Sequence, residues 1–178
     1  MIRITGIRVV DRIKETGFTQ DILSKYSGMI TTRLGFHELN DGVCSREGFI
    51  LLHLKGDPAE WKEMSEELMA LGGIEVKQMD FSDDAESEGD SGDKPEGVRI
   101  LGVLVRNGSA NSKEVQKLLT MYGCSIRTRL GVNERHFGEP AGLIILELTG
   151  AVGEMDRLEE DLRSLDSCIV RKMIFGRQ

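Results

Sequence analysis

A chain of 178 residues, 39% hydrophobic and 30% charged, has the composition of a globular protein and room for two small domains. The longest apolar runs, Phe49-Ile-Leu-Leu52 and Leu143-Ile-Ile-Leu146, fall far short of the roughly 18 residues of a membrane-spanning helix, so no membrane partner is expected. The net charge of −7 is concentrated between Ser82 and Glu96, where seven acids face one base; about −1 is left for the rest, which gives nucleic acid no basic footprint to grip.

The opening Met1-Ile-Arg-Ile-Thr5 lacks the charged, apolar and cleavage regions of a signal peptide and reads as the start of a strand over about 2–10. A helix is predicted over about 18–27, with Ile22, Leu23 and Tyr26 on one face. Strands follow at Met29–Phe36 and Gly48–Lys55. The segment Asp57-Pro-Ala-Glu60 predicts a helix start: Asp57 can cap free amides, Pro58 suits the first helical position and Glu60 can complete a capping box. Trp61, Met64, Leu68 and Leu71 then give an apolar stripe at helical spacing, and a last strand covers about 74–81. Three cysteines, Cys44, Cys124 and Cys168, without a Cys-x-x-Cys, argue against a disulfide scaffold and for a reducing cytoplasm.

After the acidic stretch the same order returns. Shifted by 96, Gln20, Tyr26, Ile30, Thr32, Arg33, Leu34 and Gly35 meet identical residues at Gln116, Tyr122, Ile126, Thr128, Arg129, Leu130 and Gly131. The shift then becomes 94, and Gly48, Leu52, Gly56, Leu68 and Phe81 meet Gly142, Leu146, Gly150, Leu162 and Phe175. The chain is a duplication, with domains expected at 1–81 and 97–178 and a flexible linker at 82–96. Each copy reads strand, helix, strand, strand, helix, strand: an α+β, ferredoxin-like βαββαβ plan with an antiparallel sheet and both helices on one face. On the third strand Phe49 and Leu51 point opposite to Ile50, Leu52 and Leu54, and copy two repeats this, so both sheet faces should be covered. An intrachain pseudo-dimer, itself able to form a homodimer, is the economical arrangement.

The segments Lys25-Tyr-Ser-Gly-Met-Ile-Thr-Thr-Arg-Leu-Gly-Phe36 and Met121-Tyr-Gly-Cys-Ser-Ile-Arg-Thr-Arg-Leu-Gly-Val132, each followed by a turn and an apolar strand, resemble a family of small ACT-like proteins. These are the regulators assigned to the iron-only hydrogenase system, whose fold is similar to the C-terminal sensor domain of nickel-responsive repressors. The opening Gly6-Ile-Arg-Val-Val-Asp-Arg12 is similar to the start of ACT domains in general, whereas copy two has Val105-Arg-Asn-Gly108 there. The resemblance covers both halves and leaves out 82–96. It implies a non-enzymatic regulator that binds a small ligand, such as an amino acid or another anion, near the first strand-to-helix loop. The implied positions are Asp11, Arg12 and Gly17, with Asn107 and Gly108 as counterparts. A loop entering a helix presents unpaired amides to an anion, and glycine permits close approach. The plainer reading is a solvated connector.

Strict alternation along Ile30–Leu34 places Arg33, and likewise Arg129, on the sheet face away from the helices. An arginine on a covered face needs an acceptor. Glu38 and Glu134 are candidates for an ion pair framing the turn, with Gly35 and Gly131 ending the strand in a bulge or bend; a bound anion is the other reading. His37, Cys44 and His136 fall in equivalent turns and could contribute to a metal site, although no His-x-His or Cys-x-x-Cys supports one. No nucleophile elbow, zinc-protease motif or phosphate loop occurs, so no catalytic residue and no named cofactor is expected. RNA binding on this fold would need exposed aromatics on the third strand; Phe49 is a faint match and copy two has none. The function expected is therefore ligand or metal sensing, with a ligand-free protein-interaction scaffold as the alternative and an RNA-binding module or an enzyme more remote.

Overall fold

The computed structural model describes residues 2–37, 39–40, 43–81, 97–106, 108–136 and 139–176. The acidic stretch 82–96, expected to be a linker, lies outside them.

The first compact unit, Ile2–Asp80, begins with β1 (Ile2–Val9), α1 (Arg12–Lys25) and β2 (Ile30–Phe36). A two-residue pair, β3 (Leu39–Asn40) and β4 (Val43–Cys44), precedes β5 (Gly48–Leu54), α2 (Pro58–Ala70) and β6 (Ile74–Phe81). The main sheet has the order β2-β5-β1-β6. The second unit runs β7 (Gly97–Arg106), α3 (Gly108–Met121), β8 (Ile126–His136), β9 (Glu139–Leu148), α4 (Val152–Arg163) and β10 (Cys168–Gly176), with the order β10-β7-β9-β8. Both are four-stranded antiparallel sheets with the ferredoxin-like connection, so the chain carries two such units in tandem. Copy two continues the β8–β9 ladder out to His136 opposite Glu139, where copy one breaks after Phe36 opposite Phe49. Among the described residues no helix is long and apolar enough to cross a membrane.

One face of each sheet packs on its helices. In copy one Ile7, Leu52 and Leu54 meet Leu23, Trp61, Met64 and Leu68. In copy two Leu101, Val103 and Leu146 meet Val115, Leu119, Leu158 and Leu162. On the opposite face Phe49, Leu51, Leu143 and Ile145 are buried as well. The turn into the second helix is also repeated. Gly56 and Gly150 take φ of +108° and +91°, a left-handed region that penalises any side chain. Asp57 then caps α2 by accepting from the Ala59 amide at 2.9 Å.

Helix α1 begins at Arg12, about six residues before its predicted start. Asp11 caps it, accepting from the amides of Ile13 and Lys14. The first turns were hidden because their inward positions are polar: Glu15 and Thr19 are buried ahead of Leu23 on the same stripe.

Each helix pair is pinned by a tyrosine. Tyr26 donates to Glu67 at 2.8 Å, and Tyr122 donates to Asp161 at 2.6 Å. Glu67 and Asp161 are thus engaged rather than simply solvated. The Lys25 ammonium, then the Tyr26 hydroxyl, holds the Glu67 carboxyl below the usual carboxylate range. A depressed folded value stabilises the protein above the ordinary carboxylate pKa and ceases to do so as the pH falls through the folded one. Glu67→Gln is therefore expected to lower the melting temperature at pH 7, and the gap to wild type should close in acid. Melting curves from pH 7 to pH 2.5 check this; a gap that stays constant throughout would remove Glu67 from the acid response.

Candidate functional site

The register of β2 decides which side chains meet α1. Ile30 lies opposite Leu54 and Thr32 opposite His53, so Thr31 is an extra residue and the strand bulges there. The Thr31 hydroxyl sits 2.8 Å from His53 Nδ1 and donates to the His53 carbonyl at 3.1 Å. Copy two bulges at Arg127, whose guanidinium donates to buried Glu147 at 3.2 Å while Thr128 donates to it at 2.6 Å. His53 and Glu147 occupy the same place, so the bulged residue satisfies a buried polar neighbour in both copies.

The bulge reverses the expected faces beyond it. Arg33 and Gly35 lie opposite Leu52 and Ile50, on the helix side, while Leu34 and Phe36 lie opposite Leu51 and Phe49 on the other. Arg33 is exposed and donates to the Gln20 side chain of α1 at 2.7 Å; Arg129 repeats this with Gln116 at 3.0 Å. The arginines are therefore on the helix side rather than the opposite face, exposed at its edge, and their observed acceptors are glutamines. Glu38 lies outside the described residues. Glu134 lies inside β8, opposite Ala141, rather than beyond the strand, and its side chain lies outside the description. Gly35 and Gly131 sit in unbroken register opposite Ile50 and Ile144, four residues past the bulge, so neither ends its strand.

A cavity of about 220 Å³ opens between α1 and this end of the sheet. Arg12, Thr19, Arg33, Gly35, Gly48 and Ile50 carry its character. A Cβ on Gly35 would meet only the Phe49 carbonyl, at 3.9 Å, and one on Gly48 would touch the Arg12 side chain at 3.5 Å, an ordinary contact. Arg12 folds across Gly48 and donates from Nε to the Ser45 carbonyl at 2.9 Å. Thr19 is 2% exposed, and its hydroxyl has no hydrogen-bond partner among the described residues. A buried hydroxyl in that state is destabilising by itself. Among the described residues that line it, the charged side chains are Arg12 and Arg33.

The copies differ at this place. The 96-residue shift puts Gly108 at Arg12 and Val115 at Thr19, while Arg129 and Gly131 persist. Val115 is fully buried in the apolar core of its unit.

Of the loop positions, Arg12 and Arg33 come together at the cavity. Asp11 is occupied by the cap and by Arg46 at 3.1 Å. Gly17 is exposed within α1, and a Cβ there would meet nothing within 4 Å, so it serves no close approach. Asn107 lies outside the described residues, and Gly108 is the first residue of α3. His37 lines the cavity; the side chains of Cys44 and His136 lie outside the description. No group of three or more His, Cys, Asp or Glu suited to a metal ion occurs among the described residues. Phe49, the aromatic an RNA platform would expose, is buried and stacked on Phe36 with centroids 5.3 Å apart. Sequence reasoning missed Thr19, Gln20 and Gly48 as site residues. The Gln20–Gln116 identity and the Thr19–Val115 mismatch were the available signals.

No family model matches the chain, and no curated protein matches it. Among solved structures, an uncharacterized protein from Thermotoga maritima is 26% identical over 46% of this chain and 96% of its own, with a TM-score of 0.40. An unknown protein from Galdieria sulphuraria is 11% identical over 98% of each chain, with a TM-score of 0.38. The acetolactate synthase small subunit from Thermotoga maritima is 13% identical over 100% of this chain and 99% of its own, with a TM-score of 0.36.

Proposed function

We propose that the chain is a non-enzymatic regulatory protein of the cytoplasm that senses a small ligand through copy one of its ACT-like tandem. The observation that carries this reading is the cavity beside α1, which brings Arg12 and Arg33 together against apolar walls. Sites for small molecules combine apolar walls with a few placed polar groups, and Arg12 and Arg33 supply those here. A regulatory role within iron-only hydrogenase metabolism is the context that the family resemblance suggests; co-occurrence of the gene with hydrogenase maturation genes supports or removes it. A homodimer would suit the ACT-like plan, and sedentation equilibrium tests it by mass.

The direct test is a thermal-shift screen of the whole protein against amino acids, organic acids, nucleotides and divalent metals. A ligand at 100 times its dissociation constant stabilises the folded state by about 2.7 kcal/mol, which raises the melting temperature by several degrees. Silence across the screen, together with a stoichiometric protein partner captured from the native host, would favour the scaffold reading instead.

A further inference from the structure

We infer that the protein pairs with a second copy of itself through opposite charge. Helix α3 of one molecule lies against α2 of the other, with Lys113 and Lys117 facing Glu63 and Glu66, and the reciprocal contact closes a dimer. This rests on the homodimer reading above and adds the surfaces that form it; it is independent of any ligand.

The α3 face is cationic. Lys113 and Lys117 stand one turn apart on an exposed ridge that ends at Met121, also exposed. Neither lysine has an ion pair or a side-chain hydrogen bond among the described residues. Arg129 joins them from β8 through its bond to Gln116, at 3.0 Å. The one acid of the helix, Glu114, lies about 100° round the axis from Lys113. Like charges four residues apart weaken a helix, so this pair destabilises α3 in an isolated molecule.

The α2 face is the opposite. Glu63 and Glu66 are exposed three residues apart, and exposed Glu60 precedes them by a turn. Lys62 lies 3.8 Å from Glu66, but both side chains are solvated and the face stays acidic. Met69, one turn beyond Glu66, is exposed. Each helix therefore sets like charges beside a methionine, whose flexible side chain adapts to an apolar contact.

The duplication confines each charge set to one copy. The 96-residue shift puts Gly17 and Asp21 at Lys113 and Lys117, so α1 has no cationic ridge. The 94-residue shift puts Arg157 at Glu63, and Arg157 donates to Glu154 at 2.6 Å, so α4 carries its own counter-charge. Like faces repel, which disfavours α3 against α3 and α2 against α2 and selects the crossed contact. Made twice about a two-fold axis, that contact closes, as in most soluble oligomers.

Sedimentation velocity of the full chain at low salt, from about 1 to 100 µM, should give the mass of two chains. Salt at about 0.5 M, where charges are screened beyond about 4 Å, should weaken the pairing. Lys113→Glu with Lys117→Glu, and separately Glu63→Lys with Glu66→Lys, should each raise the dimer dissociation constant more than about tenfold, because each opposes like charges at both contacts. An equimolar mixture of the two variants should pair again to within about threefold of wild type, since every contact in the mixed dimer is then complementary. Circular dichroism confirms folding, which the exposure of all four side chains leads us to expect. A mixture that stays monomeric, or a wild-type dimer that both reversals leave intact, overturns the inference; in the second case the homodimer reading stands. A wild-type chain that is monomeric throughout the range removes both.

Discussion

Trp61→Ala is expected to lower the unfolding free energy by about 3–5 kcal/mol, the range for deleting a large buried aromatic. Trp61 is 1% exposed within the helix-side core of copy one. Its indole N–H donates to the Lys55 carbonyl at 3.3 Å, and the Arg3 guanidinium lies 5.0 Å from the ring centroid. The truncation therefore opens a cavity, removes a donor and uncovers one side of a cation. Arg3 keeps its two-pronged pair with Asp80, at 2.6 Å for each bond, so the loss should come from packing rather than charge. Copy two shows that the fold does not require an indole: Met155 takes the equivalent place, and Arg99 pairs with Asp156 of α4 instead. Trp61→Met should accordingly cost less than Trp61→Ala. Urea denaturation of both variants decides it. A Trp61→Ala loss within about 0.5 kcal/mol of wild type, the range of an ordinary surface change, would falsify the packing argument.

Exchanging Thr19 and Val115 should move stability in opposite directions. Thr19→Val in the ligand-free protein removes a buried hydroxyl that has no partner and should stabilise by about 1–3 kcal/mol. Val115→Thr places a hydroxyl in a fully buried apolar cluster and should destabilise by a similar about 1–3 kcal/mol. The shapes match, so neither change opens a cavity and the sign isolates the hydroxyl. Denaturant midpoints read both. Equal losses for the two variants would mean that Thr19 is satisfied in solution.

The plan of the fold was plain in the sequence because the two copies check each other. Stripes such as Trp61, Met64 and Leu68 recur as Met155, Leu158 and Leu162, and the strands alternate where both faces are buried. The site was less legible. Two features hid it, and both are departures from periodicity. Polar Glu15 and Thr19 stand at inward positions of α1, which erased the helical stripe over its first turns. A single extra residue at Thr31 cancelled the alternation that had been used to aim Arg33, and neither propensity nor spacing marks such an insertion. The fixed 13-residue interval between Gln20 and Arg33, repeated between Gln116 and Arg129, held the information, since it brings α1 and β2 together at one point in both copies.

That extra residue is also one the ladder can lose. Deleting Thr31 would leave Ile30 opposite Leu54, Thr32 opposite His53 and Arg33 opposite Leu52, the pairing of a regular strand, so Arg33 and Gly35 would stay on the helix side. What the deletion removes is the contact of the Thr31 hydroxyl with His53. Its cost should therefore be close to that of Thr31→Val, which removes the same hydroxyl. The facing of the duplicated motif is held by the partner strand, residue against residue, and not by the number of residues that precede it.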